Sequence, residues 1–288
     1  NTKAIVVTSI FGNPINLKKL NKIREKNPEL FIVQDCAHGF LTRSENQDTH
    51  KQGIAAFFGL NFGKMITSIF GGMITTDDDN LASLVREKRD QLLRSDDGLK
   101  SIKRMIYFLL ANASLSPFFY KFVYKIKEKG LIDNFVKYYK NDTIDMPRDF
   151  LEHMTSTEAK VGIQQIRKYK KIVQKRKKLA TLYNEHLKGC PQIILPKITD
   201  GSTYTFYSPR VPNRKEVVSL MAKKGIELGN VLEYSIPYMK SYSSNFEQVY
   251  PNSLNYANSV INLPMHIDEK ECIYVASELK TILNSKYK

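Results

Sequence analysis

The chain has 288 residues, 42% hydrophobic and 25% charged, with 44 lysines and arginines against 29 aspartates and glutamates, a formal net charge of +15. That length and apolar content suffice to bury a core in one large domain or two, and they exclude a disordered chain. Cys36, Cys190 and Cys272 lie far apart with no Cys-x-x-Cys spacing, which argues against a disulfide framework or a zinc site and fits a reducing cytoplasm.

Residues 4–10 already read as a buried strand, so the chain reads as beginning inside a fold. Further apolar runs at 30–34, 54–58 and 72–75 predict strands. Between the first two, Leu17, Leu20 and Ile23 share one face of a helix over 17–26, and a second helix is expected from near Asp79, whose carboxylate caps it. The alternation predicts an α/β fold with a mainly parallel sheet flanked by helices.

Residues 97–150 differ. Positions 105–120 carry no charge for sixteen residues but are interrupted by Asn112, Ser114, Ser116 and Pro117, too short and broken for a span of roughly 20 apolar residues. Lys100, Lys103 and Arg104 precede the stretch, and Lys121, Lys125, Lys127 and Lys129 follow it. Packing as core or dimer-interface helices broken at Pro117 is the plainer expectation. The alternative is a peripheral contact of 105–124 with the inner membrane face, lysines on phosphates.

A long helix is expected from Thr155, with Ala159, Gly162, Ile163, Ile166 and Tyr169 toward the core and Arg167, Lys168, Lys170 and Lys171 away from it. Ten lysines or arginines between Thr157 and Lys188 face only Glu158 and Glu185, but no aromatic platform accompanies them. They read as a solvated face, with no specific nucleic acid implied. Strand-like stretches at 193–195 and 203–207, a helix over 215–224 ended by Gly225, and a closing helix over 268–284 entered through Asp268 predict a smaller C-terminal α/β domain. The expected layout is 1–96 for part of the large domain, 97–150 for an apolar and basic helical insertion, and 151–288 for the long helix and the small domain.

The chemistry concentrates between residues 31 and 76. Asp35 closes a predicted strand, at the edge where open α/β sheets bind ligands. Lys64 stands alone in a glycine-rich apolar loop, where burial disfavours the ammonium form and leaves an amine able to form a Schiff base. A carboxylate facing such a lysine suits the two ends of pyridoxal 5'-phosphate, whose protonated ring nitrogen makes it an electron sink. The plainer alternatives are a turn or cap residue for Asp35, a satisfied core histidine for His38 and, for Lys64, a loop lysine that simply points into water.

Taken together, KAIVVTSIFGNP, QDCAHGF and FFGLNFGKMITSIFGGMITTDD, with the later MTSTEAKVGIQQI, KKGIEL and INLPMH, resemble the DegT/StrS family of nucleotide-sugar aminotransferases, which are fold type I pyridoxal phosphate enzymes. The strand-end signature is matched by Gln34, Asp35, Cys36, Ala37 and His38, and the lysine signature by Lys64 followed by Gly71, Gly72, Met73, Ile74, Thr75 and Thr76. The resemblance implies that Lys64 holds the cofactor and shuttles a proton, that Asp35 pairs with the ring nitrogen, and that His38 bonds the phenolic oxygen. It implies a glutamate donor, a nucleotide-linked keto sugar as acceptor, a product destined for surface polysaccharide, and a homodimer.

Departures from the pattern accompany the matches. Gly59 replaces a serine that donates to the phosphate, Leu151, Glu152 and His153 replace an Asn-x-Arg, and Met239 replaces a sugar-side histidine. The family's Gly-Thr phosphate loop is expected to lie before residue 1. Gly59 and the altered 151–153 stretch leave a second possibility, a non-catalytic relative serving binding or membrane-associated assembly.

Overall fold

The structure, a computed structural model, describes residues 2–94, 98–114, 116, 139–140, 143–144, 146, 150–229, 232, 234–242 and 249–287. Pro117 and the lysines at 121, 125, 127 and 129 lie outside the described residues.

The four expected strands form one sheet: β1 (Ala4–Thr8) and β2 (Phe31–Asp35) in parallel, then, after a small hairpin of β3 (Arg43–Ser44) and β4 (Gln47–Asp48), β5 (Ala55–Gly59) parallel to β2 and β6 (Gly72–Thr75) antiparallel to β5. The register sets Thr8 beside Asp35 and Asp35 beside Phe57, so the C-terminal ends of three parallel strands share an edge. β1 stops at Thr8, earlier than expected, because residues 10–12 form a 3-10 turn in which Phe11 adopts φ 57° and Gly12 φ 84°.

Helix α1 (Leu17–Lys26) is capped by the Asn16 side chain, which accepts from Lys19 N at 3.0 Å, and it buries Leu17 and Leu20 against Ile15 and Ile32. Ile23 is exposed instead. Helix α2 (Asp79–Leu92) begins at Asp79, but its cap is Asp78, whose carboxylate accepts from Asn80 N and Leu81 N at 2.9 and 3.0 Å. The two free N–H groups of the first turn point at the residue before the helix, which Asp79 no longer is. Helix α3 (Leu99–Ser114) and the hairpin of β7 (Tyr139–Lys140) and β8 (Thr143–Ile144) are the elements described within 97–150.

Helix α4 (Ser156–Leu187) is the spine of the molecule. Thr155 and Glu158 close a capping box at its start. Its inward row runs through Glu158, Gly162, Tyr169, Arg176 and Tyr183, each meeting a different part of the chain. Ile163 and Ile166, expected toward the core, are about half exposed, because the row that packs is the one containing Gly162, where the lysine loop lies directly on the helix. Beyond α4 come α5 (Arg214–Lys223), α6 (Pro251–Ser259) and α7 (Glu269–Lys286), the last entered through a capping box of Asp268 and Glu271.

The largest core joins the second half of α4 to α5 and α7 through Leu179, Tyr183, Tyr207, Met221 and Leu279, with two smaller cores under the sheet. The expected strands near 193–195 and 203–207 appear only as isolated bridges, Ile194 with Arg210 and Tyr207 with Leu263. The segment at 203–206 spends its backbone groups on the turn after β1 rather than on a neighbouring strand: Thr203 N donates to Gly12 O at 2.9 Å and Phe206 N to Phe11 O at 3.2 Å. The fold is thus α/β with a mainly parallel sheet, as the alternation predicted.

Candidate active site

Asp35 emerges at the sheet edge with both carboxylate oxygens engaged. Oδ1 accepts from Ala37 N at 2.9 Å and Oδ2 from Thr8 Oγ1 at 3.2 Å, which fixes the carboxylate against its own turn and the adjacent strand. Each oxygen keeps a second acceptor site. Cys36 points the other way, into the core with Phe40 and Phe58, and burial followed by the charge of Asp35 pushes its thiol up to about 12, so it is chemically inert.

Lys64 lies in the loop between β5 and β6, which is wound tightly by Lys64 N to Asn61 O at 2.9 Å and Ser68 N to Leu60 O at 2.8 Å. The loop sits on α4, where a Cβ at Gly162 would come within 3.3 Å of Ser68 Cβ. From there the lysine side chain runs past β5: a Cβ built at Gly59 would meet Lys64 Cε at 3.2 Å and Ala37 Cβ at 3.4 Å. Lys64 is in electrostatic range of both Asp35 and His38. Burial lowers its pKa and Asp35 partly restores it, a balance that leaves an amine less basic than one in water.

His38 stacks on Phe11, ring centroids 6.1 Å apart at 21°, and meets Phe206 edge-on at 5.2 Å. Burial, then the Lys64 cation, lowers its pKa to about 4, so its ring is neutral at physiological pH and has one N–H to donate and one nitrogen to accept. The backbone of His38 is held from the far half of the chain. Thr205 Oγ1 donates to the His38 carbonyl, and the Arg176 guanidinium of α4 donates to the carbonyls of Tyr204 and Thr205. Gly39 admits this arrangement, since a Cβ there would stand 2.2 Å from Ser9 Cβ.

The three residues singled out from sequence are therefore neighbours at one sheet edge. Thr8, Phe11, Thr205, Phe206 and Arg176, which hold them, were not singled out as site residues; the Phe11-Gly12 and Asn13-Pro14 pairs were the local signals of a turn after β1. A cleft of about 570 Å³ opens beside the lysine loop, lined among others by Gly63, Arg176, Phe206, Glu227 and His266. Two of the departures have structural roles here. Leu151 and His153 bond across to Arg94, and Lys100 donates to His153 O at 2.7 Å, so this stretch is committed to its own chain. Met239 is buried.

The chemistry of the residues fits pyridoxal phosphate: an acceptor carboxylate, an amine of lowered basicity and a neutral imidazole stand together, and Gly59 lets the Lys64 chain pass close to the Ala37 methyl, where an added Cβ would crowd Lys64 Cε.

The chain is similar to the spore coat polysaccharide biosynthesis protein SpsC of Bacillus subtilis, 22% identical over 92% of this chain and 62% of that protein. It is also similar to the GDP-perosamine synthase of Escherichia coli O157:H7, 21% identical over 99% of this chain and 67% of that protein. The chain thus spans about two thirds of the length of these curated relatives. Among solved structures it superimposes on Helicobacter pylori PseC, an aminotransferase involved in the biosynthesis of pseudoaminic acid, with TM-score 0.72, 18% identity and coverage of 99% of this chain and 67% of that one. A putative sugar aminotransferase of Streptococcus pneumoniae, Spr1654 in its PMP form, gives TM-score 0.71 at 19% identity over 99% and 70%. The model of the DegT/DnrJ/EryC1/StrS aminotransferase family matches residues 1–280, a range that contains every residue of the site and nearly all of the fold, so the chain belongs to that family.

Proposed function

We propose that the protein is a pyridoxal phosphate-dependent transaminase that moves an amino group, from glutamate, to the keto carbon of a nucleotide-linked sugar in surface polysaccharide biosynthesis. The observation that carries this reading is the meeting of Asp35, His38 and Lys64 at one sheet edge, with Gly59 letting the lysine chain pass close to β5. The similarity to SpsC and to the GDP-perosamine synthase supports the sugar and polysaccharide part of it.

In this reading Asp35, held by Thr8 and the Ala37 N–H, would accept the ring N–H of the cofactor. His38, neutral and braced between Phe11 and Phe206, would donate to the phenolic oxygen. Lys64 would hold the carbonyl end and would move the proton at the substrate carbon; burial, which lowers its pKa, favours the neutral amine that these roles need. When bound, the cofactor supplies an electron sink that stabilises negative charge on that carbon. Phe11 and Phe206 keep water from the imidazole face.

The working form is proposed as a cytoplasmic homodimer, consistent with three buried free thiols and with the apolar Ile163 and Ile166 left uncovered on α4. The second reading, a non-catalytic relative, has in its favour Gly59 in place of a serine and the self-engaged 151–153 stretch.

The test is chemical trapping. Borohydride reduction of the protein incubated with pyridoxal phosphate is expected to leave a stable label on the peptide containing Lys64, and Lys64→Ala is expected to lose both the label and glutamate-dependent amine transfer. Full transfer activity in Lys64→Ala would rule out the assignment, and absence of label from the native chain would favour the non-catalytic reading.

A further inference from the structure

Helix α3 is turned inside out. Its inward side carries the charge: Lys100 pairs with Glu152 at 3.4 Å, and Arg104 pairs with the buried Glu158 at 3.0 Å while lying over the Phe70 ring at 4.2 Å. Tyr107, on the same side, packs against Phe62 and Phe70 beside the lysine loop. Of the three basic residues that precede the apolar segment, Lys100 and Arg104 are thus spent internally and Lys103 stays outside. Its outward side carries Ile102, Met105, Ile106, Leu109 and Leu110, the i, i+3, i+4, i+7, i+8 spacing of a single stripe, each 49–66% exposed. Scattered apolar side chains on a surface need no explanation, but five aliphatic ones on one stripe form a contiguous patch, and such patches mark contact sites.

We propose that this stripe docks on an anionic lipid bilayer, with α3 lying in the plane of the interface and its aliphatic side chains in the acyl boundary. Charge selects this occupant over a protein groove. Helix α3 contains no acidic residue, Lys103 stands exposed beside the stripe, and the whole chain carries +15. In the sequence that follows, residues 121–129 hold four lysines against Glu128. An apolar groove on a protein gains nothing from that excess, whereas an anionic headgroup layer attracts each cation near it. The helix lies on the membrane rather than through it: it has 16 residues, and among the described residues no helix is long and apolar enough to cross. Because α3 is tied to the lysine loop through Arg104 and Tyr107, docking would hold the candidate site at the membrane surface.

Flotation of the whole chain with vesicles tests this. Binding is expected to vesicles containing phosphatidylglycerol, to be weaker with phosphatidylcholine alone, and to fall as salt is raised. The double variant Leu109→Gln, Leu110→Gln is expected to lower partitioning about tenfold or more, and Lys103→Glu by a few-fold. Both should keep the native circular dichroism spectrum and Lys64 label. Leu84→Gln, at an apolar residue on α2 that is about half exposed, should float as the parent does. Failure to float with phosphatidylglycerol vesicles, or undiminished flotation of the double variant, overturns the proposal. If the double variant instead loses self-association in the absence of lipid, the stripe belongs to a second copy of the chain.

Discussion

At His38 two effects act in the same direction, since burial and the nearby Lys64 cation both disfavour the imidazolium and bring the pKa from 6.5 to about 4. The folded protein therefore binds fewer protons at this residue than the unfolded chain does between those two values. Stability contributed by the neutral ring is complete above pH 6.5, falls as the pH drops, and is gone below about 4. His38→Gln removes the group from both states. Comparing urea midpoints at neutral pH and at about pH 4.5, the variant is expected to lose less stability on acidification than the parent, by on the order of 2 kcal/mol. An equal loss in both would mean that His38 is protonated in the folded state. His50 and His266, also lowered by burial, are present in both proteins and cancel in the difference. Asp35, His38 and Lys64 were legible in the sequence because each sits at a strand end or in the adjoining loop, where chemistry and local pattern coincide. Their supports were not: Thr8 meets Asp35 across 27 residues and Thr205 meets His38 across 167, and no local pattern encodes a partner that distant.

At the scale of elements, the four strands of the sheet were legible because each is a short apolar run between turn residues, whereas the runs at 193–195 and 203–207 form only isolated bridges; helix starts were legible to within a residue because caps announce them. The inward face of α4 was read correctly at Gly162 and Tyr169 and wrongly at Ala159, Ile163 and Ile166, for a physical reason. Periodicity predicts that aliphatic residues point inward, but the neighbour of α4 at this point is a backbone loop that approaches closest where there is no side chain. Gly162 supplies that place, and Ile163 and Ile166 turn outward as a consequence. Helix α3 reverses the same rule more completely, since Arg104 faces a buried carboxylate that is held by the cap of α4. Gly162 thereby sets the height of the lysine loop. Ser68 cannot yield easily, because its N–H bonds Leu60 O and its hydroxyl bonds Phe70 O. Gly162→Leu is expected to destabilise the protein by about 2 kcal/mol through overpacking and, by lifting the loop, to reduce labelling of Lys64 at a given cofactor concentration. Thermal melting and the borohydride label measure the two effects separately. Unchanged labelling in a folded variant would show that the loop is positioned by its own hydrogen bonds rather than by the helix.

Across the whole molecule, the two faces of the sheet are unequal. Ile32, Ala56 and Phe58 are buried on one face, while Val6, Phe31 and Ile74 on the other are 61%, 55% and 54% exposed. The register places these three on the same face as Thr8 and Asp35, so the site looks out over the open side. Parallel strands are ordinarily covered on both faces, because their apolar side chains point both ways. An uncovered face of this kind attracts either a dye or another chain. The chain is expected to bind an apolar fluorescent dye while folded and to self-associate as its concentration rises. The pair Val6→Lys, Ile74→Lys should suppress both without lowering the melting temperature, because neither side chain leaves a cavity when replaced. Dye fluorescence and light scattering at several concentrations check this. If the pair lowers the melting temperature by several degrees, the open face is packed in solution, and the apolar contact lies within the chain rather than between copies of it.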